Sequence, residues 1–305
     1  MKYKLLIAAL VLFSFSCIDT PANDPDEPTP AIVSGLTLSL SNSSFEDSYT
    51  ALRNTIDANP NIRIIAEINH QANANSVDLE LNPARIIFFG NPNLGTPLMQ
   101  RNQLAGLDLP QKILVYQDNA DDVYLGFNAT DYLVSRHQLE GVATLPTIND
   151  ALTNITTNVS GNEIIVSPST VVISGEQIMT KISTQNFEDT YNTLRTTIDN
   201  NPNLRIVAEV NHQENALNNG LELRPTRLII FGNPNLGTPL MQNSITTAID
   251  LPQKMLVWED EAGIVNVSYN AADFLKSRHG IEENDAVLQT IQMALDNISN
   301  AAAGL

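Results

Sequence analysis

The four histidines have the widest chemical reach of any residues in the chain, and they fall into two matched pairs, His70 with His212 and His137 with His279. An imidazole near neutrality can ligate a metal or move a proton. His70 and His212 each close the pattern E-[IV]-N-H-Q. On a strand, Glu67 and Asn69 share one face and the histidine takes the other, which argues against Glu67 and His70 as joint metal ligands or as a base with its partner. The competing reading is a strand-end histidine bonded to backbone or water. His137 and His279 each follow an arginine toward the end of a helical stretch, where positive charge suits the helix dipole.

A second candidate is FGNPNLGTPLMQ, which occurs letter for letter at Phe89 to Gln100 and at Phe231 to Gln242. Read as structure, Phe89 ends a strand, Gly90 to Pro92 turns the chain, and Gly95 allows an unusual backbone angle. Thr96 then caps a helix whose first residue is Pro97. Read as function, Gly95, Thr96 and the free amides of that helix start could accept a carboxylate or phosphate. An anion pocket would then combine Arg85, Asn91, Gly95, Thr96 and His70, repeated as Arg227, Asn233, Gly237, Thr238 and His212. Asp108 and Asp250, in D-L-P-Q-K, are expected to bond amides around the following proline, while Lys112 and Lys254 begin a strand. No nucleophile elbow, zincin helix, Cys pair, P-loop lysine or dinucleotide fingerprint occurs, so no catalytic residue, metal or cofactor is implied.

The elements that must carry these residues are legible in the pattern. An internal repeat dominates: a shift of 142 residues aligns Phe45 to Glu140 with Phe187 to Glu282, with about 57 of those 96 positions identical. Each unit opens on a strand, such as Gly35 to Asn42, where Leu36, Leu38 and Leu40 alternate with Ser and Thr. Phe45, Tyr49, Leu52 and Ile56 then mark an amphipathic helix, with Ser44 and Asp47 placed as a capping box. Strands follow at Ile62 to His70, Ala84 to Gly90, Lys112 to Asp118 and Asp122 to Asn128, with a short helix from Pro97 between the second and third. A last helix begins at Ala129, and a closing helix covers Thr147 to Ile155. The expected fold is α+β, two repeated domains, each a mainly antiparallel sheet covered by helices. The units span residues 32–160 and 171–303, joined by a linker over 161–170. The repeats differ at Asp78 against Gly220 and Asn82 against Arg224, so one unit alone is a candidate to retain a site.

Residues 1–16 carry Lys2, Lys4 and an apolar run from Leu5 to Phe13, the pattern of a secretory signal too short to span a bilayer. Cys17 is the only cysteine and sits where a bacterial lipoprotein is acylated. Residues 17–31, rich in Pro and Asp, read as an acidic tether. The expectation is an exported chain anchored by lipid at the cell envelope, on the periplasmic side or the cell surface. Net charge is −18, or −20 without residues 1–16, and no cluster of Lys or Arg offsets it, which weighs against nucleic acid.

The helix opening FEDSYTALRNTI, the FGNPNLGTPLMQ corner and DLPQKILVYQD together resemble the family catalogued as domain of unknown function 302, and both units match it over nearly their whole length. The resemblance implies a β-α-β(4)-α layer like that of the TATA-box-binding protein, without its DNA binding, and supplies no reaction. Two classes of function follow. One is a small-ligand or protein interaction module whose units form a pseudo-dimer within one chain. The other is an enzyme or anionic small-molecule receptor using the GNPNLGT corner with nearby His and Arg.

Overall fold

A computed structural model of the chain describes residues 32–166, 175 and 177–305. The expected signal segment, Cys17 and the tether lie outside these residues, as do 167–170 of the expected linker.

The first repeat runs β1 (Leu36–Leu40), α1 (Phe45–Asp57), β2 (Arg63–Asn69), α2 (His70–Asn75), β3 (Ala84–Gly90) and α3 (Pro92–Arg101). A 3-10 turn (Gln103–Leu107), β4 (Gln111–Gln117), β5 (Val123–Asn128), α4 (Thr130–His137) and α5 (Leu145–Ser160) complete it. A two-residue strand, β6 (Ile165–Val166), comes next. The second repeat copies the order: β7 (Ile178–Ile182), α6 (Phe187–Asp199), β8 (Arg205–Asn211), α7 (His212–Leu217), β9 (Thr226–Gly232) and α8 (Pro234–Asn243). Its 3-10 turn (Ile245–Ile249), β10 (Gln253–Glu259), β11 (Val265–Asn270), α9 (Ala272–His279) and α10 (Asp285–Ala303) close the chain. The sheets are antiparallel, ordered β2-β3-β4-β5-β1-β6 and β7-β11-β10-β9-β8. The expected α+β fold with two repeated domains is what the chain adopts.

Local chemistry explains the boundaries. Ser44 caps α1, its hydroxyl accepting from the Asp47 amide and donating to the Asp47 carboxylate. The hairpin between β4 and β5 is held by Asp118, whose Oδ1 accepts from the amides of Ala120 and Asp122. The helix expected from Ala129 and the closing helix are separate: Gln138, at φ 55°, ends α4, and α5 starts afresh seven residues later. Part of the expected linker is structured, because β6 pairs with β1 at Thr37 and Leu38 and covers its edge, whereas among the described residues β7 is the edge strand of the second repeat's sheet.

Each sheet is covered on both faces. In the first repeat, helices α1 and α5 lie on one face, and the 3-10 turn of the second repeat packs on β3 and β4 at the other. Reciprocally, the 3-10 turn of the first repeat packs on β9, β10 and β11. This is why ARIIFFG and QKILVYQ read as unbroken apolar runs and not as alternation: Ile86, Ile87, Phe88 and Phe89 are all buried. The crossing is tight at Gly106, where a Cβ would come within 2.9 Å of Leu256 Cδ1.

Candidate functional site

The corner folds differently from its sequence expectation. Helix α3 begins at Pro92, and Asn91 is its cap, the Asn91 side chain accepting from the Asn93 amide at 2.9 Å. The amides of Leu94 and Gly95 donate to the Asn91 carbonyl. Thr96 is therefore buried inside the helix and Pro97 is an interior residue, so the expected anion site on free amides at Gly95 and Thr96 does not form. Gly95 has ordinary helical geometry, and a Cβ there would only touch Leu109 at 3.7 Å. Asn233, Gly237 and Thr238 repeat the arrangement, with Asn235 accepted by Asn233.

The corner instead forms one wall of a cleft of about 370 Å³. Nine of its twelve residues line that cleft, and the nine equivalent residues of the second corner line another of about 420 Å³. The remaining walls come from Ile62 and the first residue of β2, Arg63, from α5 (Ile148, Ala151) and, across the repeat boundary, from His212 and Asn215 of α7. The second cleft is built alike, with Arg205, α10 and, from the first repeat, His70 and Asn73. The histidine expected beside its own corner is thus delivered to the other one.

Both histidines are buried, and burial pushes each down to about 4, opposed by a hydrogen bond to the carbonyl of Ala248 for His70 and of Gly106 for His212. Nε2 has no partner in either ring, so Nδ1 is the donor and Nε2 carries the free lone pair of a neutral imidazole. Those carbonyls belong to the opposite repeat's 3-10 turn, which makes each histidine a tie between repeats as well as a cleft wall. Glu67 faces elsewhere, accepting from Tyr49 Oη at 2.7 Å and Arg53 Nε at 3.1 Å; His70 and His212 do not end their strands as expected but open α2 and α7, capped by Asn69 and Asn211.

Arg85 and Arg227 do not reach the clefts. Each forms a two-pronged pair, Arg85 with Glu46 at 2.9 and 2.7 Å and Arg227 with Glu188 at 2.8 and 2.7 Å, and stacks over the rings of Phe45 and Tyr49 or of Phe187 and Tyr191. The differing positions do not line the clefts either: Asp78 and Gly220 are both left-handed turn residues, and Arg224 donates to Gln103 across the interface. Both repeats keep a cleft.

A second assembly, unread in the sequence, lies between the repeats. Asp108 Oδ2 meets His137 Nε2 at 2.7 Å and Arg136 Nε at 3.5 Å; Asp250 Oδ2 meets Arg278 Nη1 at 2.7 Å and His279 Nε2 at 2.9 Å. Arg136 donates to Asn270 and Arg278 to Asn128, both at 2.7 Å and both across the boundary. Lys112 stands 3.6 Å from Asp250 and 3.8 Å from Asp108, and Lys254 donates to the Asp250 carbonyl. Burial alone would raise the two carboxyls, but the facing arginines, histidines and Lys112 hold both well below the usual carboxylate range. Burial, then Lys112, pushes the Lys254 amine down to about 7. His137 and His279 are hence buried partners of carboxylates, and the expected helix-end placement understates them; for His279 burial dominates and lowers its proton affinity. The signal for this cluster was the retention of Asp, Lys, Arg and His at the same positions of both repeats, with each lysine directly before an apolar run.

Among the described residues, no three His, Cys, Asp or Glu side chains stand together so as to hold a metal, and no helix is long and apolar enough to cross a membrane. A family profile described as "Domain of unknown function DUF302" matches residues 36–158 and again 179–298. Curated relatives include a "Fluoride-specific ion channel FluC 1" of Brucella suis biovar 1 (strain 1330), 37% identical over 102 residues, which are 33% of this chain and 40% of that protein. A second, from Brucella abortus biovar 1 (strain 9-941), is 37% identical over 102 residues and is covered to 38% of its length. The chain therefore spans about two fifths of the relatives it matches. A solved structure, titled as an uncharacterized conserved protein DUF302 from Bacillus stearothermophilus, has a TM-score of 0.35 and 15% identity, covering 42% of this chain and 97% of its own.

Proposed function

We propose that this chain, which belongs to the DUF302 family and carries that domain twice, is an exported, lipid-anchored binding module with two equivalent clefts for a small ligand. The observation that carries the reading is the coincidence of sequence and cavity: the one twelve-residue stretch identical in both repeats supplies nine wall residues to each cleft. Volumes of about 370 and 420 Å³ lie in the range of small-molecule sites. Export and anchoring rest on Lys2, Lys4, the apolar run and Cys17. The relatives named as fluoride channels share only a 102-residue segment with this chain, and conduction forms no part of the proposal.

Native mass spectrometry of the full chain, purified gently from its own cells, tests the reading. Ala151 and Ala294 line the two clefts from partly exposed helix positions, so Ala151→Phe with Ala294→Phe fills both. Up to two bound masses per chain are expected for the parent and none for the double variant, with melting temperature little changed. A bare parent polypeptide, or equal occupancy in both proteins, refutes the proposal.

A further inference from the structure

Resting on that reading, we infer that the ligand of each cleft is a small anionic amphiphile, a carboxylic acid with an apolar body, whose acid group is taken by Arg63 in the first cleft and Arg205 in the second. Three observations converge on these two residues.

The first is the state of the guanidinium groups. The chain has ten arginines, and eight of them hydrogen-bond or pair within the fold. Among the described residues, only the guanidinium groups of Arg63 and Arg205 have neither a hydrogen bond nor an ion pair, and they are equivalent positions, each lining a cleft. The second is the distribution of acid. The sequence holds 34 Asp and Glu, yet not one lines either cleft. In a chain of net charge −18, an uncompensated arginine beside a wall free of carboxylates is a local reversal of sign, and at physiological ionic strength it acts over about the 8 Å of the Debye length. The third is the polarity of the walls. Each cleft is lined by a half-buried glutamine, Gln111 or Gln253, whose buried Nε2 has no acceptor and is a donor. Ile62, Met99 and Leu152 give the first cleft an apolar surface, and Leu204, Met241 and Leu295 give the second one. Guanidinium and carboxamide donors over an aliphatic wall suit a carboxylate on a hydrocarbon body.

The clefts are not identical. In the first, Asn93 Nδ2 reaches Asn219 Oδ1 at 3.4 Å across the boundary, whereas in the second the place of Asn219 is taken by Val77, and Asn235 turns back to Asn233. The second cleft is therefore less polar at that one rim position.

Calorimetric titration of the full chain with octanoate and with 1-octanol, at pH 7.5, separates the charge from the body. Octanoate is expected to bind about tenfold more tightly than the alcohol, the scale of one charge-assisted hydrogen bond over a neutral one. Arg63→Gln with Arg205→Gln removes that preference and leaves the alcohol affinity unchanged. Equal binding of acid and alcohol by the parent, or a preference that survives the double glutamine variant, overturns the assignment of charge while leaving the clefts as ligand sites. Failure of both probes to bind overturns the amphiphile, and the bound masses described above then decide the clefts independently.

Discussion

The two cross-repeat histidines make a quantitative prediction about acid. His70 and His212 fall from an ordinary 6.5 to about 4 through burial. A group whose folded value lies below its unfolded value binds fewer protons when folded, so its stabilisation is fully present above 6.5 and is lost as pH falls toward 4. At about 1.4 kcal/mol per pH unit, lowering the pH from 7.5 to 4.5 removes about 2.5 kcal/mol for each ring, or about 5 kcal/mol for both. That is a large share of the 5–15 kcal/mol typical of a folded domain. The interface carboxylates do not contribute in this window, because Asp108 and Asp250 are held well below their ordinary 3.8 and lose stability only at lower pH. His279 adds a loss of the same sign. The assay is urea unfolding at pH 7.5 and 4.5 for the parent and for His70→Gln with His212→Gln, glutamine keeping an N–H donor for the Ala248 and Gly106 carbonyls without titrating. The double variant should lose most of the pH dependence. A slope equal to that of the parent would refute the account of these histidines as buried, neutral ties between repeats.

Asp108→Asn leaves Arg136 and Lys112 short of a counter-charge in a buried interface and should cost about 3–5 kcal/mol by chemical denaturation; a loss under 1 kcal/mol would refute the cluster as a buried ion network. Thr238→Val removes a buried hydroxyl that has no partner, so the variant should match the parent or gain up to about 1 kcal/mol, checked by the same unfolding curve. Residues 32–166 expressed alone uncover the sheet face on which the second repeat's 3-10 turn packs, and should elute from gel filtration as dimer or aggregate. A stable monomer would count against an obligatory pairing of repeats.

The elements were readable where one residue decides one local event. Phe45, Tyr49, Leu52 and Ile56 announced α1, and Ser44 its start. The corner was harder because two helix starts compete within six residues, Asn91-Pro92 and Thr96-Pro97, and both fit the preference for a polar cap before proline. The earlier one forms, since the Asn91 side chain takes up the Asn93 amide, and Thr96 is then carried into the helix interior. What joins the repeats was invisible because it links positions more than a hundred residues apart. No local pattern tells His212 that its acceptor is Gly106, or Arg136 that it will meet Asn270. Arg85 reads as an anion ligand because it stands on the strand leading into the corner, yet it is neutralised by Glu46, a partner 39 residues away.

Because each cleft is finished by a residue set from the opposite half, the inherited unit and the binding unit are out of step. A substitution in α7 acts on the corner of the first half, and one in α2 acts on the corner of the second. Position 93 should therefore co-vary with position 219 and position 235 with 77, pairings that an alignment of single domains would conceal. Two halves free to diverge in this crossed manner can hold one cleft constant while the other acquires a new preference, since the short helix of one half and the corner of the other change together.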